Sequence, residues 1–244
     1  MIRSQLVKKN VGQSKDFRWR GKDVSRIEAL SDAVFGFAVT LIVVSLEVPK
    51  TFSDLQNTLV HGIIAFALSF IMLMQVWHWH YSFFRRYGLQ DAQTLLLNTA
   101  LLFVILFYIY PLKFLFLLLS DALLGLRTGS PIQDTQWPSL MIIYSLGFLA
   151  VQCLFALLYY HAYRKRAELT LNEVEVYLTW QNIMSYLLLA GVGLTSILIA
   201  TFGGLEYISW SGWIYVLIAP LQYLLHFFLR RRRNAAYEIA EHIH

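Results

Sequence analysis

The sequence predicts an all-α integral membrane protein with six transmembrane helices per subunit. Hydrophobic residues make up 57% of the 244 residues, charged residues make up only 14%, and the mean hydropathy is +0.53. The apolar residues also come in blocks close to the ~20 residues that a helix needs to cross about 30 Å of hydrocarbon. The six blocks that we predict to span the membrane are residues 29–48, 60–84, 94–119, 138–163, 180–202 and 208–229.

Each predicted span stops where the sequence turns polar or favours a turn. The first stops at a proline, the second at the pair Arg85 and Arg86, and the third at a turn-rich loop over residues 120–137. The fourth stops at a basic run that begins with Arg164, the fifth at a glycine pair, and the sixth at four arginines that begin with Arg230. The short connections leave no room for an inserted soluble domain.

The basic residues predict how the chain crosses the membrane, because Lys and Arg accumulate in cytoplasmic loops. With both termini in the cytoplasm, all but three of the 20 Lys and Arg residues fall on the cytoplasmic side, the exceptions being Lys50, Lys113 and Arg127. We therefore predict a multi-pass protein of the cell membrane. It has a basic cytoplasmic segment at residues 1–25, flexible or lying on the membrane surface, a six-helix membrane domain at 26–233 and a cytoplasmic tail at 234–244.

Several classes of partner and activity are excluded by composition and spacing. Basic rims that face the anionic lipid bilayer account for the net charge of +5, so no nucleic-acid partner is expected. Cys153 is the only cysteine, so no intrachain disulfide is possible. His78 and His80 point about 200° apart on a helix and cannot share a zinc ion. Without paired acids, a His-Glu-x-x-His motif or a nucleophile with its base in the spans, we predict neither an enzyme nor a bound metal or cofactor.

The first span carries an acid near its beginning, which marks this helix as functional. A charged Asp32 at the centre of a spanning helix would cost about 2.5–3.5 kcal/mol, so its side chain is expected to face protein or water and not lipid. Positions three, four and seven apart share a helix face. This groups one mostly apolar stripe, Phe37, Thr40, Leu41 and Val44, whereas Ser31, Asp32 and Phe35 project from another side.

The motif that begins at Arg26 resembles the signature of a known family, the transmembrane protein 175 potassium channels, in their short prokaryotic form. The matching residues of the first helix and of the two that follow are Arg26, Leu30, Ser31, Asp32, Phe35, Thr40, Leu41, Pro49, Trp77, His80, Asn98 and Pro111. The resemblance covers the first half of the chain, and the last three spans match in number and length. It implies a homotetramer in which the first helix of each subunit lines a central pore that conducts potassium passively.

The resemblance also implies roles for the stripe on the first helix. Phe37 would form the pore constriction, with Leu41 and then Val44 as further apolar gate positions, although the family usually has Ile or Leu at the position of Phe37. The sequence has no Thr-Val-Gly-Tyr-Gly filter, so selectivity would come from pore diameter and from a ring of Thr40 hydroxyls. An apolar ring gates by excluding water when it is narrow.

A second set of residues is implied to support the pore helix through a hydrogen-bonded network: Arg26, Ser31, Asp32, Trp77, His80 and Asn98. Direct contact of Asp32 with an ion or a proton stays open as the other interpretation. For the protein as a whole, the alternative to a potassium channel is a proton-coupled secondary transporter or a proton-permeable cation channel, with Asp32 and His80 relaying protons. A transporter usually carries an internal repeat, and we find none in this sequence.

Overall fold

The structure, a computed structural model, describes residues 17–44, 51–124 and 132–229. In this part of the chain, six helical segments are long and apolar enough to cross a membrane, which confirms the predicted count. The helices are α1 (Arg26–Val44), α2 (Phe52–Tyr87), α3 (Ala92–Leu124), α4 (Trp137–Arg164), α5 (Glu173–Phe202), α6 (Gly204–Trp213) and α7 (218–229). The sequence features that lie outside the described residues are residues 1–16 of the basic N-terminal segment, positions 45–48 of the first predicted span, Pro49, Lys50, Arg127, the arginines at 230–233 and the tail at 234–244.

Four elements differ at one end from the spans that hydropathy predicts by four residues or more. α3 ends at Leu124 and not at residue 119, and α5 begins at Glu173 and not at residue 180. α2 begins at Phe52 and not at residue 60, because residues 52–61 are too polar to count as a span but contain neither proline nor glycine to stop a helix. The sixth span runs over Gly204–Leu229 and contains one tighter turn of 3₁₀ helix at Ile214–Leu217, so α6 and α7 follow each other across the membrane.

An aromatic cluster holds α2, α4 and α5 together. The ring centroids of Phe83 and Tyr159 are 5.2 Å apart, those of Tyr159 and Tyr186 are 5.3 Å apart, and Phe155 stacks on Tyr186 at 5.2 Å. Between helices that cross lipid, apolar side chains gain little from leaving water, so close contact of large rings is a main source of packing energy. α4 and α5 form the most extensive helix pair of the subunit.

The first and the sixth spans lie at the outside of this bundle. α1 packs on α2 and α3. α7 lies along α5, where Tyr177 donates a hydrogen bond to the carbonyl oxygen of Leu229 (2.5 Å) and Gln222 donates one to that of Ser185 (3.1 Å). Much of the surface of α1 is therefore left uncovered by its own subunit.

Candidate pore-lining helix and its polar support

α1 begins with a capping box that fixes its first turn. The backbone N–H of Ser25 donates to Glu28 Oε2 (2.7 Å), and the backbone N–H of Glu28 donates to Ser25 Oγ (3.2 Å). These bonds satisfy two backbone donors that a helix start leaves without partners. The start of α1 is thus set by local sequence.

The two sides of α1 have different surroundings. The residues buried against the rest of the subunit are spaced three or four apart and form one stripe: Glu28, Ser31, Phe35, Ala38 and Ile42. On the opposite side the subunit leaves the predicted pore stripe uncovered, with Phe37 60% exposed, Leu41 37% exposed, Val44 77% exposed, and Thr40 exposed as well. On a membrane-spanning helix an uncovered apolar face meets lipid, another subunit or a pore, and exposed apolar residues are found on other spans as well, such as Phe107 on α3.

The hydroxyl of Thr40 has a defined orientation. Its Oγ1 donates a hydrogen bond to the carbonyl oxygen of Phe37, 2.7 Å away on the preceding turn of the same helix. Because the proton is used in this bond, the oxygen lone pairs remain available on the uncovered side of the helix. The oxygen can therefore contribute a neutral ligand to a cation.

Three of the predicted support residues lie in one hydrogen-bonded chain. His80 Nε2 lies 2.8 Å from Asn98 Oδ1, and since a carbonyl oxygen only accepts, the ring nitrogen carries the proton. Asn98 Nδ2 donates to Ser31 Oγ (3.0 Å), which in turn donates to the carbonyl oxygen of Ile27 (2.8 Å). His80, Asn98 and Ser31 are buried, and their side chains come from α2, α3 and α1. The chain joins all three helices and ends on a backbone carbonyl.

Asp32 and Trp77 form a separate contact between α1 and α2. The indole N–H of Trp77 donates to Asp32 Oδ1 at 2.9 Å, and the indole ring stacks on Tyr81 with centroids 5.6 Å apart. Asp32 is exposed on the subunit. Among the described side chains, no hydrogen bond links this pair to His80. The two groups that a proton relay would use lie close enough for the Asp32 charge to act on His80, but no direct hydrogen bond joins them.

Arg26 does not contact Asp32 within the described part of the subunit, where the exposed Arg26 side chain makes no hydrogen bond or ion pair.

Phe35 belongs to the sequence motif, but we predicted no functional role for it. In the structure its side chain packs against the hydrogen-bonded network. Its ring lies 5.6 Å from that of His80, which on its other side is 4.6 Å from Phe84. The sequence feature that could have predicted this packing is the position of Phe35, an aromatic residue about one helical turn after Asp32.

Comparisons with known proteins agree with this architecture. Residues 26–108 match the family described as the endosomal/lysosomal potassium channel TMEM175. A potassium channel of Marivirga tractuosa is 40% identical over 223 residues, which cover 86% of this chain and 90% of that channel. The matched family region contains α1, α2 and the first half of α3, the helices that carry both networks.

Two solved structures share the fold. One is the potassium channel MtTMEM175, crystallised as a threonine-to-alanine variant with a nanobody fusion, with a TM-score of 0.81, 36% identity, and coverage of 90% of this chain and 99% of that chain. A lysosomal potassium-selective channel TMEM175 homolog from Chamaesiphon minutus, at 23% identity, matches in fold with a TM-score of 0.52 over 84% of this chain and 96% of that one. With six membrane-competent helices, the motif on α1 and a relative of this identity over most of both lengths, the chain belongs to the TMEM175 family of potassium channels.

Proposed function

We propose that this protein is a potassium-selective cation channel of the cell membrane, in which four copies of α1 surround a pore that conducts passively. The observation that carries the proposal is the uncovered face of α1. Its apolar stripe and its one hydroxyl face away from the subunit, while the opposite face is buried against α2 and α3. Both termini would lie in the cytoplasm, as the distribution of Lys and Arg predicts.

Phe37, Leu41 and Val44 would form successive apolar rings around the pore axis. They lie four and three residues apart, so that in a symmetric assembly each residue would meet its own copies at one level. A narrow apolar ring expels water, and an ion cannot pass without its hydration. Opening then requires a modest displacement or rotation of α1, since a small increase in diameter restores water.

Thr40 would form the polar level between these rings. Its oxygen presents lone pairs away from the subunit because the hydroxyl proton bonds back to Phe37. Neutral oxygens replace part of the hydration shell most easily for weakly hydrated cations, and potassium is more weakly hydrated than sodium. We therefore expect moderate preference for potassium over sodium.

The polar networks would support the helix and not conduct. His80, Asn98 and Ser31 form a hydrogen-bonded chain whose last donor ends on a backbone carbonyl, which leaves no onward acceptor for a proton. Asp32 is engaged separately by Trp77. Each of these groups has a hydrogen-bond partner that ties one helix to another, which is what a supporting role for α1 requires, and the flux measurement below separates the channel from the proton-coupled transporter.

The test is ion flux from liposomes that contain the purified protein, with a proton carrier to balance charge, in potassium and then in sodium. We expect fast flux that is larger for potassium, and loss of that preference in Thr40→Ala. Thr195→Ala is the matched control, because Thr195 is also exposed and also bonds back to its own helix (Gly191, 2.8 Å), but lies on α5.

Phe37→Ala completes the set, and we expect it to raise the flux of both ions by widening the constriction. Unchanged flux in Phe37→Ala together with unchanged preference in Thr40→Ala would contradict the assigned pore. Slow flux that requires a co-ion would favour the transporter.

A further inference from the structure

The residues before α1 are folded against the bundle. We call residues 17–23 the N-terminal strap. Phe17 is only 2% exposed, its ring meets that of Tyr87 edge-on at 5.5 Å, and the guanidinium of Arg86 lies 5.4 Å from its centroid. One end of the strap is thus anchored at the end of α2. The described part of the basic N-terminal segment does not lie free on the surface.

A close backbone contact holds the middle of the strap to the same helix end. The N–H groups of Arg20 and Gly21 both donate to the carbonyl oxygen of Arg85 (3.1 and 3.2 Å), and Arg85 Nη1 donates back to the carbonyl oxygen of Gly21 (3.0 Å). A Cβ at Gly21 would lie 2.5 Å from the carbonyl oxygen of Phe84. The contact therefore requires glycine at this position.

Arg20 fastens the strap to α5 as well. Its Nη2 lies 2.6 Å from Glu175 Oε2 and its Nη1 lies 3.0 Å from Glu175 Oε1, a two-pronged ion pair with a carboxylate that is 1% exposed. The same guanidinium donates to the carbonyl oxygens of Leu169 (2.7 Å) and Thr170 (3.1 Å). Such planar, multiply bonded pairs fix orientation as well as distance.

The strap connects the start of α1 to α5, a helix on which α1 does not pack in the described part of the chain. α1 packs on α2 and α3, whereas Glu175 is in the first turn of α5. Only five residues separate Arg20 from Arg26, where α1 begins. Six Cα–Cα steps reach at most about 20 Å, and Gly21 between them is itself hydrogen-bonded to Arg85. The strap therefore ties the start of α1 to the ends of both α2 and α5.

We propose that Arg20 and Glu175 are positioning residues for the pore helix, which set the resting position of α1 by clamping the N-terminal strap to α5. The inference rests on the proposed function, in which α1 lines the pore. Movement at the first turn of α5 or in the loop that precedes it then changes the opening of the pore without any contact to Phe37 or Thr40.

The clamp itself is tested by hydrogen–deuterium exchange on the full-length protein in detergent or nanodiscs. In Arg20→Gln and in Glu175→Gln, backbone amides of residues 24–30 are expected to exchange about tenfold faster, because bonds to charged groups are lost. Residues 150–158 of α4 serve as the internal reference and are expected not to change.

Arg18→Gln is the matched control, since it removes the same charge from the strap but Arg18 contributes only its backbone to Glu175. Equal exchange in wild type and in both clamp variants would overturn the proposal, as would acceleration that is as large in α4 as in α1. If Arg20→Gln fails to assemble, Arg20→Lys keeps the charge but not the planar fork. It is expected to give intermediate exchange, and wild-type exchange in Arg20→Lys would overturn the proposal.

The consequence for the pore is tested by single-channel recording in potassium. Arg20→Gln and Glu175→Gln are expected to shift the open probability by about fivefold or more, with unitary current and ion preference unchanged. An unchanged open probability in variants whose α1 start is loosened would overturn the positioning role. A wild-type protein that carries no potassium current would contradict the proposed function, whereas the exchange measurement would still decide whether the strap holds α1.

Discussion

The two faces of α1 have very different surroundings. On the packed face, Phe35 is 2% exposed against His80, and Ser31 is fully buried in a hydrogen-bonded chain. On the uncovered face, Phe37 is 60% exposed although it is only two residues away, and the Thr40 hydroxyl bonds to its own helix. One face is packed within the subunit, and the described residues leave the other without close protein neighbours. We therefore expect substitutions on the packed face to lower stability and substitutions on the uncovered face to change conduction.

The same substitution on the two faces gives the sharpest test. Phe35→Ala leaves a cavity between helices and is expected to destabilise the protein by about 3 kcal/mol. This value is at the low end for buried aromatic residues, because moving a side chain from lipid into protein gains less free energy than moving it from water. Phe37→Ala is expected to leave the unfolding temperature nearly unchanged while it changes ion flux. Thermal unfolding in detergent and liposome flux, measured on both variants, check this. Equal loss of stability in the two would contradict the division by face.

Removing the amide at the centre of the network is the next largest change. Asn98→Leu leaves the buried N–H of His80 without an acceptor, at an expected cost of about 1–3 kcal/mol. Asn182→Leu is the control, because the Asn182 amide donates to Leu178 of its own helix. The measurement is again the thermal unfolding midpoint. A drop in Asn182→Leu as large as that in Asn98→Leu would show that the loss is not specific to the network.

The two hydroxyls of α1 provide a smaller, matched comparison. Ser31→Ala removes the acceptor of the Asn98 amide and is expected to cost about 1 kcal/mol with little change in ion preference. Thr40→Ala is expected to change stability by about 0.5 kcal/mol or less, as for exposed positions, and to alter ion preference. Unfolding and flux measured in parallel separate the two. If ion preference changed in Ser31→Ala and not in Thr40→Ala, the hydroxyl that sets the preference would be Ser31 on the packed face, which would contradict the role proposed for Thr40.

The smallest expected effect is that of acid on Asp91, which lies in the connection between α2 and α3. Asp91 accepts hydrogen bonds from Thr94 (2.6 Å) and His161 (2.8 Å) and faces Lys165 at 3.7 Å. Burial acts to raise the pKa of Asp91, but these bonds and positive charges outweigh burial and hold the pKa below its ordinary value of 3.8.

Because the folded-state pKa is the lower one, this stabilisation is present above pH 3.8 and is lost as the pH falls towards the folded value. Because the Asp91 carboxylate is partly exposed, we expect this stabilisation to contribute about 1 kcal/mol or less to the free energy of unfolding. Unfolding midpoints between pH 7 and pH 3 in wild type and in Asp91→Asn measure it. A pH dependence that survives unchanged in Asp91→Asn would assign the effect to other groups.

Hydropathy and one motif predicted much of this molecule. The six spans follow from runs of apolar residues that only a bilayer can accommodate, and their number is confirmed, with boundary shifts in α2, α3, α5 and the sixth span. The motif from Arg26 to Asn98 identified the family, which is confirmed. The spacing of Phe37, Leu41 and Val44 placed them on one face, and their roles in gating and selectivity stay predictions, as do the four-subunit pore and the orientation of the termini.

The partners of individual residues were decided only by the tertiary structure. Ser31 and Asp32 are neighbours in the sequence, but in the structure Ser31 accepts a hydrogen bond from Asn98 and Asp32 accepts one from Trp77. The partners differ because neighbouring positions on a helix point in directions about 100° apart. The Arg20–Glu175 pair joins residues that are 155 positions apart, so no local pattern predicts it. Apolar periodicity determined which segments cross the membrane, since it depends on each helix alone. The hydrogen bonds that hold α1 in place depend on how the helices meet.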